Sequence, residues 1–157
     1  MTHAAILPAF ERVLLTLWIG GLWTIGLVVV PILFKDYERA LAGEIAGRLF
    51  AGLSLLGMVC ATLLLALAVA RARQRVGRDW RAAVLLLMLV IVVVGEFGLA
   101  ARMRELKELL ATVPAATAVL AEFGGLHRIA TFLFLVNSAL GLALVIFGIR
   151  PRVQPGS

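Results

Sequence analysis

The sequence predicts an all-α integral membrane protein: a single domain, residues 1–157, folded as a bundle of four transmembrane helices. Hydrophobic residues make up 62% of the chain, well above the roughly 45–50% that is usual in a soluble domain. Four apolar stretches are each long enough to cross a bilayer, which takes roughly 20 residues. Charged side chains gather between these stretches or near their ends, and only Glu96 lies well inside one, the third.

The first predicted span, residues 8–34, contains the glycine-rich stretch LWIGGLWTIGLVVVPILF. Pro8 suits the first turn of a helix, where its missing N–H costs nothing. Gly20 and Thr24 form a small-x-x-x-small pair, and Gly21 widens this region of small side chains. We therefore expect a close helix contact here.

The second predicted span, residues 45–70, follows a short amphipathic stretch that Asp36 is placed to cap. Gly43 and Gly47 make a GxxxG pair at its start. Such pairs let helices approach closely. We expect this one to pack within the chain, with a homo-oligomer seam as the alternative.

An arginine-rich stretch, RARQRVGRDWR, separates the second and third predicted spans. Its five arginines against one aspartate are the strongest topogenic signal in the chain and predict a cytoplasmic loop. Four spans then put both termini in the cytoplasm, and Arg150 and Arg152 agree with this. We expect a multi-pass protein of the bacterial inner membrane with N-in, C-in topology.

The net charge of +6 comes from basic residues that flank the predicted spans. This placement favours membrane lipids with anionic headgroups as partners. The sequence has no interleaved aromatic and basic residues that would indicate nucleic-acid binding.

The third predicted span, residues 82–101, is interrupted once, by Glu96. The helical spacing of apolar residues predicts that this helix continues past the membrane, with Arg104 and Glu108 paired at i, i+4. Pro114 is expected to end it.

A short helix is predicted after Pro114, and Gly124 and Gly125 are expected to stop it. The fourth predicted span then covers residues 126–149. On a helix, one arc of about 80° contains a set of small and polar residues, and we expect it to face the bundle. The set is His127, Phe134, Asn137, Gly141 and Gly148. Asn137 lies near mid-membrane, and we expect it to form an interhelical hydrogen bond.

Glu96 is the leading candidate for a functional residue, because a carboxylate inside a span is costly and marks a functional site by default. It precedes Arg102 by six residues, which places it about 9 Å below the outer end of the span. Arg48, His127 and Arg128 are predicted near the same end. Three interpretations stay open: a buried ion pair in which Arg48 or Arg128 holds Glu96 and fixes helix register, a proton or cation site, and a water-facing side chain.

Cysteine and histidine are too few for the usual metal and redox sites. Cys60 lies alone inside an apolar run, so neither a disulfide framework nor a thiolate cluster is expected. A bis-histidine haem needs two axial ligands inside the bundle, and only His127 is available there. We therefore expect no cofactor, no metal site and no catalytic residues.

Three pieces of the chain, LWIGGLWTIGLVVVPILF, AGEIAGRLF and FGGLHRIA, resemble a family of bacterial four-span proteins, domain of unknown function 4149. The chain is also similar to eukaryotic transmembrane protein 205. More distantly, the W-x-G-G of the first span resembles copper resistance protein D and HemJ-type protoporphyrinogen oxidases. HemJ-like proteins have a histidine about two turns before this tryptophan, where the present chain has Glu11. The haem ligand of HemJ-like proteins is therefore missing here, and the resemblance implies the fold and no assured activity.

Together these observations favour a non-enzymatic inner-membrane protein with a polar cluster in the outer half of the bilayer. The cluster, expected to bind a small ligand or cation or to serve a membrane assembly, comprises Glu96, His127, Arg128, Arg48 and Asn137. The alternative is a metal- or haem-handling redox protein of the copper resistance protein D type that uses His127 with Glu96 or Cys60. A third hypothesis is a homo-oligomeric module built on the glycine-rich faces.

Overall fold

The computed structural model describes residues 3–72, 80–112 and 117–148. Apart from Tyr37 and Glu38, every one of these residues is helical. The elements, in chain order, are α1 (His3–Trp23), a π-helical segment (Thr24–Val29), α2 (Val30–Asp36), α3 (Arg39–Ala72), α4 (Trp80–Val93), a second π-helical segment (Val94–Ala100), α5 (Ala101–Thr112) and α6 (Thr117–Gly148).

Four helical stretches are long and apolar enough to cross a membrane. We refer to them as the first to fourth spans: Leu7–Asp36, Arg39–Ala70, Trp80–Thr112 and Thr117–Gly148. The prediction of an all-α bundle with four transmembrane helices is confirmed. The N-in, C-in orientation stays a prediction.

The two ends of the bundle are called the Thr112 end and the Trp80 end. At the Thr112 end, the first and third spans finish and the second and fourth begin. At the Trp80 end, the first and third spans begin and the second and fourth finish.

Neighbouring spans run antiparallel, and the first span meets the second and the fourth at glycines. Trp18 packs on Gly57, where an added Cβ would lie 2.6 Å from the indole Nε1. Phe134 packs on Gly26 in the same way, and Ile19 packs on Gly141. These contacts bring the second and fourth spans against the first.

The core lies between all four spans, toward the Trp80 end. It consists of apolar side chains that are almost fully buried: Leu14, Leu15, Trp18, Ile19, Cys60, Ala61, Leu64, Leu85, Met88 and Leu144. Many other large apolar side chains are exposed on the outer surface of the bundle. An exposed apolar surface of this extent is what contact with lipid requires.

A π-helical segment, Thr24–Val29, interrupts the first span and ends two residues before Pro31. Proline has no N–H to donate, and its ring crowds the carbonyl four residues earlier. The wider π turn relieves that crowding, and the Val30 N–H donates to the Ile25 carbonyl instead.

Three local predictions differ from the structure. α6 runs through Gly124 and Gly125 without a break, because a continuous helix keeps its backbone hydrogen-bonded in an apolar medium. That gain outweighs a helix penalty of roughly 1 kcal/mol per glycine. Pro8 lies inside α1, which begins at His3. Asp36 is the last residue of α2 and does not cap α3.

Several predictions fall outside the described residues. They concern most of the arginine-rich stretch (residues 73–79), the break at Pro114, and the basic C-terminal residues Arg150 and Arg152.

Candidate functional site

Glu96 lies in the π-helical segment of the third span and forms an ion pair with Arg104. The distance from Arg104 Nη1 to Glu96 Oε1 is 3.1 Å. The Glu96 side chain is 15% exposed, whereas that of Arg104 is 57% exposed. A largely shielded carboxylate is thus neutralised by a guanidinium that lies mostly at the surface.

The π-helical segment explains how residues eight apart can meet. On a regular α-helix, eight residues turn the side chains about 80° away from each other. A π turn contains more residues, so each residue contributes less rotation. The segment Val94–Ala100 covers the first half of the separation between Glu96 and Arg104 and brings them closer to one face.

The basic partners predicted for Glu96 do not form this ion pair. Arg48 pairs instead with Glu44, one turn earlier on its own helix, at 2.7 Å. Arg104 pairs with Glu96 and not with Glu108. The sequence prediction missed Arg104 as the partner because the i, i+4 rule assumes a regular helix.

Two other polar contacts tie the helices together at the Thr112 end. Arg102 Nε donates to Glu122 Oε1 at 2.9 Å, joining the third and fourth spans. Lys107 Nζ donates to the Gly43 carbonyl at 3.2 Å, joining the third and second spans. Lys107 also lies 6.0 Å from the ring centroid of Phe123.

The Arg102–Glu122 pair also sets the register between the third and fourth spans. Glu96 lies six residues deeper than Arg102, and His127 lies five residues deeper than Glu122. The two residues are therefore at similar depth. His127 is exposed, and its ring stacks on that of Phe123 at 6.4 Å between centroids. Its expected orientation into the bundle is wrong. Arg128 is exposed as well.

Asn137 points into the bundle and is only 3% exposed. Its Oδ1 has no hydrogen-bond partner within the described part of the chain. The interhelical bond expected of Asn137 is therefore not made through this oxygen. Counting along α6 from Glu122, Asn137 lies deeper than Glu96, so the two do not share one site.

The glycines proposed for helix packing have different surroundings. Gly141 and Gly21 lie at close contacts, with Ile19 and with Leu53 respectively. Among the described residues, an added Cβ at Gly43 would have only Phe34 in ordinary contact, and one at Gly20 or Gly47 would have nothing within 4 Å. Within the described part of the chain no helix packs closely on Gly20 or Gly47, and the homo-oligomer alternative stays a prediction.

The metal-handling alternative gains no ligand set from the geometry. Among the described residues, no three His, Cys, Asp or Glu side chains are grouped so as to hold a metal ion. Cys60 is buried in the core toward the Trp80 end, far along the bundle from His127.

Comparison with known proteins gives a family and no activity. No curated protein and no solved structure matches the chain. A family model described as "Domain of unknown function (DUF4149)" matches residues 13–111, which run from the first span to near the end of α5. This match covers more than half of the chain, which therefore belongs to the DUF4149 family of domains of unknown function.

Proposed function

We propose that this chain is a non-enzymatic, multi-pass protein of the bacterial inner membrane that binds a small inorganic cation at Glu96, in the outer half of the bilayer. The observation that supports this proposal is the ion pair between Glu96 and Arg104 inside the third span. In this proposal the arginine-rich stretch after the second span is cytoplasmic. Both termini are therefore cytoplasmic as well, and the Thr112 end faces outward.

The pair is poorly suited to a purely structural role. Both partners belong to the same helix, so the pair cannot fix the register between helices. That register is set instead by the contacts of Arg102 with Glu122 and of Lys107 with Gly43. A carboxylate within a span is costly, and here the cost is not offset by an interhelical bond.

The exposure of the two partners favours exchange of the cation. Arg104 is long and mostly exposed, so its guanidinium can leave Glu96 with little cost in packing. One turn further on, Glu108 offers it the i, i+4 partner that the sequence predicts. The Glu96 carboxylate is then available to a hard cation, which prefers oxygen ligands and keeps several waters.

The second candidate function is a role as a subunit of a membrane assembly. The open surface at Gly20 and Gly47 favours it, because small residues on a lipid-facing helix permit close approach of another helix. Chemical cross-linking in lipid that yields only monomers would count against this candidate.

A thermal-stability experiment tests the cation site. The purified protein in detergent is melted with LiCl, NaCl, KCl, MgCl2 or CaCl2, and choline chloride keeps the ionic strength constant. We expect at least one small cation to raise the melting temperature of the wild type and to have no such effect on Glu96→Gln.

Glu105→Gln is the matched control, since Glu105 is an exposed carboxylate on the same helix that also pairs with an arginine. It should keep the cation effect. An equal effect of the cation on Glu96→Gln and the wild type would contradict the proposal. So would the absence of any cation effect on the wild type.

A further inference from the structure

A small cleft opens between the four spans at the Trp80 end, far from Glu96. Its volume is about 40 Å³, a few times the roughly 10–15 Å³ that one water molecule needs. Each of the four spans contributes to its lining: Glu11, Leu15, Leu64, Ala68, Arg81, Leu85 and Leu144. Only two of these side chains are charged, one acidic and one basic, and they come from different helices.

The two charges mark the polar boundary of the bundle at this end. In the first span, charged residues are absent from 13 to 34, immediately after Glu11 and Arg12. In the third span, they are absent from 82 to 95, immediately after Arg81. Trp80, next to Arg81, is 41% exposed, as is usual for an aromatic residue at the membrane interface. The cleft therefore opens at the depth of lipid headgroups.

The inner wall of the cleft is apolar, and the fold leaves room for the guanidinium. Leu15, Leu64, Leu85 and Leu144 are almost fully buried. Gly148 lies against Arg81, where an added Cβ would be 3.3 Å from Nε and 3.4 Å from Nη2. A larger residue at position 148 would push the guanidinium away.

We propose that this cleft binds the headgroup of phosphatidylethanolamine, with the lipid ammonium at Glu11 and the lipid phosphate at Arg81. A zwitterionic headgroup carries both charges a short distance apart, and the cleft offers a carboxylate and a guanidinium to match them. Glu11 and Arg81 each make another interaction in the protein. A carboxylate has about four acceptor sites and a guanidinium has five donors, so both have capacity for a ligand.

The same geometry selects among lipids. The primary ammonium of phosphatidylethanolamine donates hydrogen bonds to a carboxylate, whereas the trimethylammonium of phosphatidylcholine has no N–H. Phosphatidylglycerol has no cation to place at Glu11, so it would bind through its phosphate at Arg81 alone and lose the contact with the carboxylate. We therefore expect selectivity for phosphatidylethanolamine over both.

Native mass spectrometry of the full chain in detergent tests this proposal directly. Phosphatidylethanolamine, phosphatidylcholine and phosphatidylglycerol with identical acyl chains are added in turn to delipidated protein. We expect phosphatidylethanolamine to bind at least about tenfold more tightly than phosphatidylcholine, as the gain of one charge-assisted hydrogen bond predicts. Equal retention of these two lipids by the wild type would overturn the proposal.

Two variants test whether Glu11 contacts the lipid ammonium and whether Arg81 contacts the lipid phosphate. Glu11→Gln should abolish the preference for phosphatidylethanolamine over phosphatidylcholine, and Arg81→Gln should weaken binding of both lipids. Glu38→Gln and Arg39→Gln are matched controls, because these exposed residues lie at the opposite end, and both should bind as the wild type does. A Glu11→Gln variant that keeps the wild-type preference would refute the site. If that variant does not fold, the wild-type preference for phosphatidylethanolamine over phosphatidylcholine is by itself the test of the proposal.

Discussion

Arg104 folds back along its own helix to Glu96, placing its Nη1 3.1 Å from the carboxylate Oε1. The charge inside the third span is thus neutralised without the help of another helix. Both partners belong to one helix, so an exchange of the counter-ion at Glu96 would not require the helices to repack. This independence supports the proposed cation site.

The two partners should respond differently to substitution. Arg104→Gln leaves a shielded carboxylate without its counter-ion, and we expect it to lower the free energy of unfolding by about 1–3 kcal/mol. Glu96→Gln leaves an exposed arginine, so we expect a change within about 0.5 kcal/mol or a small gain. Thermal or denaturant unfolding in detergent measures both. A loss for Glu96→Gln as large as that for Arg104→Gln would show that the pair is a structural lock.

Glycine-to-alanine substitutions on the second span should lower the free energy of unfolding at tightly packed positions and leave it nearly unchanged at open ones. Gly57→Ala places a methyl group 2.6 Å from the buried indole of Trp18, and we expect it to cost about 1–3 kcal/mol. Gly47→Ala, on the same helix, meets no described residue within 4 Å and should be neutral or stabilising by up to about 1 kcal/mol. Equal destabilisation in the monomer would mean that these two helix faces are wrongly assigned.

Asn137 carries a buried oxygen without a hydrogen-bond partner in the described residues. An unsatisfied buried polar group costs about 1–3 kcal/mol, so Asn137→Leu should raise stability in detergent by roughly 1 kcal/mol. Asn137→Ala is the control, because it removes the same oxygen and leaves a cavity. A clear loss of stability with Asn137→Leu would instead indicate that the amide has a partner in the membrane.

The orientation of the bundle can be measured by labelling single cysteines in intact cells. With Cys60 replaced by alanine, a cysteine at Glu38 should react with a membrane-impermeant maleimide added from outside. A cysteine at Arg12 should react only after the membrane is opened. Both native residues are exposed; Arg12 lies near the start of the first span, at the Trp80 end, and Glu38 lies just after its last residue, at the Thr112 end. The reverse pattern would show that the Thr112 end is cytoplasmic.

The main features of the fold could be predicted because hydropathy alone defines four spans. The charge-free run from 13 to 34 and its three counterparts leave little choice of fold class in a bilayer. The inward position of Asn137 also followed from its place among small residues on one face of the fourth span. In both cases the relevant signal is local in sequence.

The details of the site depend on features that local patterns do not contain. The partner of Glu96 was missed because a π-helical segment changes the helical period between positions 96 and 104. His127 was expected to face inward from the regular arc of α6, yet it lies exposed beside Phe123. The cleft between Glu11 and Arg81 joins residues 70 positions apart, and only the packing of all four spans brings them together.

The affinity of the Arg104→Gln variant for the cation that stabilises the wild type tests the central claim most directly. Isothermal titration at constant ionic strength compares this variant with the wild type and with Arg39→Gln, whose exposed arginine lies on the second span. If Arg104 competes with the cation for Glu96, its removal should tighten binding several-fold, while Arg39→Gln should bind as the wild type does. Unchanged or weaker binding by Arg104→Gln would contradict the account, because the guanidinium would then not be the group that the cation displaces.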